Sequence, residues 1–191
     1  MEIVFDFPHV FSPDSSPAES ANVERASRDL LTFVNRAFCK GKPGCVGPAT
    51  GRRAGEFFSF NFPHVFTPTS SRADNAMVIR ACLDFLIHVN EDFLSRRPPM
   101  RGLFDSGVHY ERTTIWDSIP ALYKRGYGDC KSLSAALIAQ YRHVNRPALP
   151  SFRYTPRPGA GTQADYHILV QTEEGFEDPS KILGMPHGDD W

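Results

Sequence analysis

Apolar residues recur at spacings of three and four in two long stretches of the chain. Val78, Cys82, Phe85, Leu86, Val89 and Phe93 predict a helix from about Ala73, with that face buried. Val23, Ala26, Leu30, Phe33, Val34 and Phe38 follow the same spacing and predict a helix from about Ala18. Ahead of the first helix, Phe7, His9 and Phe11 alternate with Pro8 and Val10. This predicts a short extended piece whose proline suits an edge or an irregular position. Pro13, Ser15 and Ser16 then break the chain, as do Pro68, Ser70 and Ser71.

The two stretches are copies of one unit. "FDFPHVFSPDSSPAESANVERASRDLLTFVNRAF" begins at Phe5, and "FNFPHVFTPTSSRADNAMVIRACLDFLIHVNEDF" begins at Phe60, 55 positions later. The offset holds without a gap, and more than half of the aligned positions are identical, so the two share an origin. Two copies are too few for a self-sufficient solenoid, so they are expected to pack on each other or on the C-terminal half. Between them, Gly41 to Gly55 is rich in Gly, Pro, Lys and Arg and reads as a linker. His9 and His64 recur because the unit was duplicated. One histidine per copy lacks the companions that zinc requires.

The second half has a different pattern. Pro98 and Pro99 end the helical periodicity. Val108 and Tyr110 around His109 predict a strand. Thr114 or Asp117 is expected to cap a short helix through Leu122 and Tyr123. Gly126 and Gly128 allow a tight turn, and Asp129 stands where an N-cap is wanted. A further helix follows, with Leu133, Leu137, Ile138, Tyr141 and Val144 as its buried stripe, ending before Pro147. Tyr166 to Gln171 then predicts a strand, with Phe176 opening the return strand of a hairpin.

Composition fits a globular protein with a buried core, 41% hydrophobic and 23% charged over 191 residues, and the helices and strands predicted above make it α+β. A net charge of -1 argues against a nucleic-acid or anionic-membrane binder. No run has the length of a membrane span. The start, "MEIVFDFPHV", has an early acid and no basic region, unlike a signal peptide, so a cytoplasmic location is expected. Cys39, Cys45, Cys82 and Cys130 match neither a disulfide framework nor a zinc site. No metal or cofactor is expected.

Cys130 differs from the other cysteines in its placement, in the first turn of a predicted helix after a glycine-rich turn. A helix N-terminus favours a thiolate and supplies N–H groups for an oxyanion. A free thiol near pKa 8.5 falls to between about 3.5 and 7.5 in such sites. His167 and Asp178 lie downstream on the two strands of the hairpin. A three-residue loop, Glu173 to Gly175, would put them on opposite faces. A four-residue loop, Thr172 to Gly175, pairs Asp178 with Leu169 and leaves His167 and Asp178 as diagonal neighbours on one face. The four-residue loop is the expectation. Cys130, His167 and Asp178 then form a nucleophile, base and orienter. Singly, each has a plainer reading: a core cysteine, a satisfied half-buried histidine, and a turn cap before Pro179.

These motifs resemble the transglutaminase-like cysteine hydrolase superfamily, a circularly rearranged relative of the papain fold. The match is "GDCKSLSAALIAQYR", then "YHILV", then "EDPSK", in the order Cys, His, Asp. It is most similar to compact members encoded by phages and other mobile elements, through "WDSIPALYKRGYGDC" and "EDPSKILGM". The resemblance covers roughly Gly102 to Met185. It implies a core in which a catalytic cysteine at a helix N-terminus packs on an antiparallel sheet, with the duplicated unit as an addition. It also implies a triad of Cys130, His167 and Asp178. Many members carry an acid where this chain has Ser132, and a tryptophan where it has Leu169. Families of this type often use an upstream side chain as a second oxyanion donor; Trp116 and Gln163 are the candidates here, and Trp116 reads equally as a core anchor ahead of "IPALY".

The expected organisation is residues 1–55 (first copy and linker), 56–100 (second copy) and 101–191 (the transglutaminase-like catalytic domain). The expected activity is thiol-dependent acyl transfer to water from peptide or glutamine-type amides. Transglutaminase-type cross-linking is an alternative. A non-catalytic phage or virion module that docks or oligomerises through the repeats is another. The expected partner is a protein or peptide substrate, in the host cell or a virion if the chain is phage-encoded.

Overall fold

The computed structural model describes residues 2–10, 15–38, 50–63, 67, 70–156 and 164–186. The fold is mixed α+β. Strand β1 (Glu2–Asp6) leads to helix α1 (Pro17–Phe38). Strands β2 (Thr50–Ala54) and β3 (Phe57–Asn61) lead to α2 (Arg72–Ser95). The second half runs β4 (His109–Tyr110), β5 (Ile115–Asp117), α3 (Ile119–Arg125), β6 (Tyr127–Gly128) and α4 (Cys130–His143). It closes with β7 (Leu149–Pro156), β8 (Ala164–Thr172), β9 (Gly175–Glu177) and α5 (Pro179–Ile182). Among the described residues, no helix is long and apolar enough to cross a membrane.

The two copies meet about a local two-fold axis. β1 pairs antiparallel with β3, and Val4 stands opposite Ser59. Those positions are 55 apart, the repeat offset, so the axis passes between equivalent residues. Phe5 and its counterpart Phe60 are both fully buried and meet edge-on at 5.6 Å. Phe85 of α2 is edge-on to both, at 5.1 and 5.5 Å. Such ring pairs add about 0.5–1.5 kcal/mol each beyond their buried area.

Both repeat helices begin on a serine cap. Ser71 accepts the Asp74 N–H at 3.0 Å. Ser16 accepts the Glu19 N–H while Glu19 accepts the Ser16 N–H, a reciprocal capping box. The predicted α2 face, Val78 through Phe93, is buried. On α1 the pattern is less complete, since Phe33 is 48% exposed. His9 is a half-buried histidine, edge-on to Phe93 at 4.7 Å, and desolvation pushes its pKa down to about 4. His64 lies outside the described residues.

The sheet order is β2-β3-β1-β5, with β5 parallel to β1. β1 is therefore an inner strand, and a strand from the C-terminal half joins the repeats in one sheet. Phe5 packs on Trp116 at 5.4 Å between ring centroids. The Ser118 N–H and hydroxyl both donate to the Asp6 carbonyl oxygen. Asn90 of α2 accepts the Ile119 N–H at 2.8 Å. The duplicated unit is thus built into the C-terminal half.

Several local expectations are corrected. The extended piece of the first copy is Glu2–Asp6, and residues 8–10 turn. The Arg-rich end of the expected linker is β2, paired with β3, while residues 39–49 lie outside the described residues. Ser118 precedes α3, in place of Thr114 or Asp117. Val144 is 67% exposed, because α4 ends at His143. β7 was not foreseen. It pairs along the length of β8 and completes the three-stranded antiparallel sheet β7-β8-β9.

Candidate active site

The site lies where α4 starts against β8. Gly126 closes α3 in the left-handed region (φ +80°), and its N–H returns to the Leu122 carbonyl at 2.9 Å. Gly128 lets the chain pass close to Leu122: a Cβ there would stand 2.5 Å from Leu122 Cδ1. Asp129 is the N-cap residue and Cys130 the first residue of α4. Farther along the helix, Ser134 donates to the Ile168 carbonyl at 3.0 Å, which fixes α4 on β8.

Cys130 is half-buried, with Sγ facing the Tyr166 carbonyl at 4.0 Å and the Ile168 N–H also directed at the sulfur. Tyr166 and Ile168 flank His167, so the thiol rests on β8 at the histidine's position. His167 is 3% exposed, and its Nε2 lies 2.8 Å from Asp178 Oδ2. The structure therefore brings His167 and Asp178 together.

The hairpin register explains this contact. Val170 pairs with Glu177, Gln171 with Phe176, and Thr172 with Gly175. Thr172 and Gly175 are themselves paired, so the connecting loop is only Glu173 and Glu174. The alignment still places Asp178 opposite Leu169, the register expected for a shared face. Asp178 also caps α5: its Oδ1 accepts the Ser180 and Lys181 N–H groups at 3.1 and 3.2 Å. The turn-cap reading and the orienter reading of Asp178 hold together, one on each oxygen. Burial raises the Asp178 carboxyl, but the His167 hydrogen bond and charge and these N–H groups hold it below the ordinary value. An ionised Asp178 accepting from Nε2–H leaves Nδ1 as the basic nitrogen of His167.

The thiol itself departs from expectation. Burial, with Asp129 beside it, pushes Cys130 up to about 12, against the pull of Lys131 and the Ile168 N–H. At rest the residue is a thiol. Desolvation outweighs the helix N-terminus here, because the sulfur sits in a cleft with carboxylates nearby. Cys82 is fully buried, and desolvation raises its thiol further still. Cys39 and Cys45 lie outside the described residues.

A cavity of about 380 Å³ opens on Cys130. Trp116, Tyr166 and Ile168 line it, together with Asp129 and Lys131 on either side of Cys130 in sequence and Glu2 and Ile3 from β1. Trp116 is thus at the cleft, with Phe5 tilted against it at 44° and the Lys131 ammonium 5.9 Å from its ring centroid. Gln163, the other oxyanion candidate, lies outside the described residues. Ser132 accepts the Asp117 N–H at 2.9 Å, bracing β5 on α4. Leu169 is buried. A larger groove, about 560 Å³, lies apart from this site between α1 and α2, walled by Leu30, Phe33, Met77 and Phe85.

Two features have no local signal in the sequence. Glu2 and Ile3 reach the cleft only through the parallel pairing of β1 and β5. Asp129 reads from sequence as a cap, yet its side chain makes no capping bond and pairs with Lys131. No protein-family model, curated protein or solved structure matches this chain.

Proposed function

We propose that the protein is a cysteine hydrolase of the transglutaminase-like type, acting on peptide or glutamine-type amide bonds through a thioester on Cys130. The observation that carries this reading is the 2.8 Å contact between His167 and Asp178, on the strand against which the Cys130 thiol rests. A cysteine opening a helix that packs on an antiparallel sheet, followed by His on β8 and Asp just past the end of the neighbouring β9, supports the papain-like plan that the motifs imply.

In this mechanism His167 Nδ1 takes the Cys130 proton as the sulfur attacks the amide carbon. The tetrahedral oxyanion meets the N–H groups at the start of α4, with Trp116 as the side-chain candidate. His167 then returns the proton to the leaving amine, and the C–N bond breaks. Water, deprotonated by His167, attacks the thioester and releases the acid and the thiol. Asp178 keeps the imidazole in one tautomer throughout. A resting neutral thiol suits general-base activation, since the proton leaves as the carbon–sulfur bond forms.

A second reading is a binding module that keeps the fold without turnover, and the raised Cys130 thiol favours it. Cross-linking is the same chemistry with an amine in place of water. Iodoacetamide labelling separates the first reading from the second. Cys130 should label much faster than Cys39, Cys45 and Cys82, and His167→Ala should remove the difference. Equal labelling of all four would favour the binding module.

A further inference from the structure

Cys130 is flanked in sequence by two opposite charges that meet each other in space. The Asp129 carboxylate makes no N-cap hydrogen bond; it pairs with the Lys131 ammonium, and the backbone N–H groups of Thr113 and Lys131 also act on it. Lys131 also donates to the Thr113 carbonyl and lies 5.9 Å from the Trp116 ring centroid. Both residues line the cavity that holds the sulfur, and Lys131 is only 9% exposed.

A buried ion pair gains little stability over a well-packed apolar pair, because desolvation offsets the attraction. It does set a strong local field, since charges act at longer range where water is excluded. Other charged or titratable groups also face this cleft. Glu2 from β1 and Asp165 and Tyr166 from β8 line it, while Tyr110 from β4 and Asp178, which holds His167, act on the sulfur electrostatically from beyond the lining. Of the fixed charges that act on the sulfur, Asp129 and Asp178 oppose its ionisation and Lys131 favours it.

We propose that Asp129 and Lys131 are a positioning pair for Cys130, in which the Lys131 ammonium stabilises the thiolate and Asp129 masks that charge at rest. This rests on the reading of Cys130 as the nucleophile. Removing the Asp129 charge alone leaves an unmasked ammonium beside the sulfur. Removing both charges restores near-neutrality.

The test is the pH profile of Cys130 alkylation by iodoacetamide, followed by mass spectrometry of the Cys130 peptide. Asp129→Asn keeps a good N-cap residue. It should move the rise in labelling rate to lower pH by about one unit, or about tenfold faster labelling on the rising limb. The double variant Asp129→Asn/Lys131→Met should return the profile to near wild type, and Asp129→Glu should leave it there. An Asp129→Asn profile that overlays wild type, or moves to higher pH, overturns the proposal. So does a double variant that keeps the full shift. His167→Ala in the same assay separates the two ideas. If it labels no more slowly than wild type, the nucleophile reading fails. If it is slowed while Asp129→Asn is unmoved, only the pair is overturned.

Discussion

Asp178 serves two neighbours at once, holding His167 Nε2 at 2.8 Å on one oxygen and the first N–H groups of α5 on the other. The two roles separate by substitution. Asp178→Ala loses the cap and should cost about 1 kcal/mol of stability as well as reactivity. Asp178→Asn keeps a capping oxygen, so urea unfolding should stay near wild type while Cys130 labelling falls at least tenfold. Equal loss of stability in both variants would contradict the division of labour.

Gly126 and Gly128 are needed for different reasons. Gly128→Ala places a methyl against Leu122 and should cost about 1–3 kcal/mol by overpacking. Its neighbours Asp129 and Cys130 would shift, so thiol reactivity should change too. Gly126→Ala meets open space and carries only left-handed strain, about 1–2 kcal/mol, with reactivity unchanged. Paired unfolding and labelling measurements check both.

The repeats are not separable from the site. β1 is an inner strand, Phe5 packs on Trp116, and Glu2 and Ile3 wall the cleft. Deleting residues 1–55 should therefore abolish cooperative unfolding. Phe5→Ala should cost about 3–5 kcal/mol. A folded, thiol-reactive fragment 56–191, seen by circular dichroism and labelling, would contradict this.

Asp117 gives the stability a pH signature. It is fully buried and shares Arg125 with Asp6, at 2.9 and 3.2 Å. Burial pushes its carboxyl up to about 6 despite Arg125. Unfolded, it titrates near 3.9. Between those values the folded protein binds the extra proton, so this contribution is present at low pH and lost as pH rises through about 6. Half-buried His9, lowered to about 4, acts oppositely: its contribution is present above its unfolded pKa and lost as pH falls. Asp178, also lowered, loses its contribution on acidification. The difference between wild type and Asp117→Asn isolates one term. The variant should gain relative stability as pH rises from about 4 to about 6 and show no further relative change above that. A difference that is flat with pH would contradict the assignment.

What could be read from the sequence was what repeats or alternates. The α2 face follows from spacing and the start of α4 from its glycines and Asp129, while the pairing of Asp178 with His167 follows once the loop register is chosen. β7 was hidden because Pro150 and Pro156 sit in it, and prolines mark turns more often than strands. The inner position of β1 was hidden for another reason. A parallel partnership between residues 4–6 and 115–117 leaves no trace in either segment. The resting state of Cys130 depended on burial, which a helix N-terminus in sequence does not reveal.

In the proposed chemistry Cys130 forms a thioester with an amide substrate under His167 control. Intact-mass and peptide spectrometry after acid quench, with glutamine-containing peptides offered, tests it most directly. The expected result is an acyl adduct on the Cys130 peptide that is absent in Cys130→Ala and strongly reduced in His167→Ala. Absence of any adduct across a broad peptide set, with Cys130 labelling no faster than Cys82 in the folded protein, would contradict it.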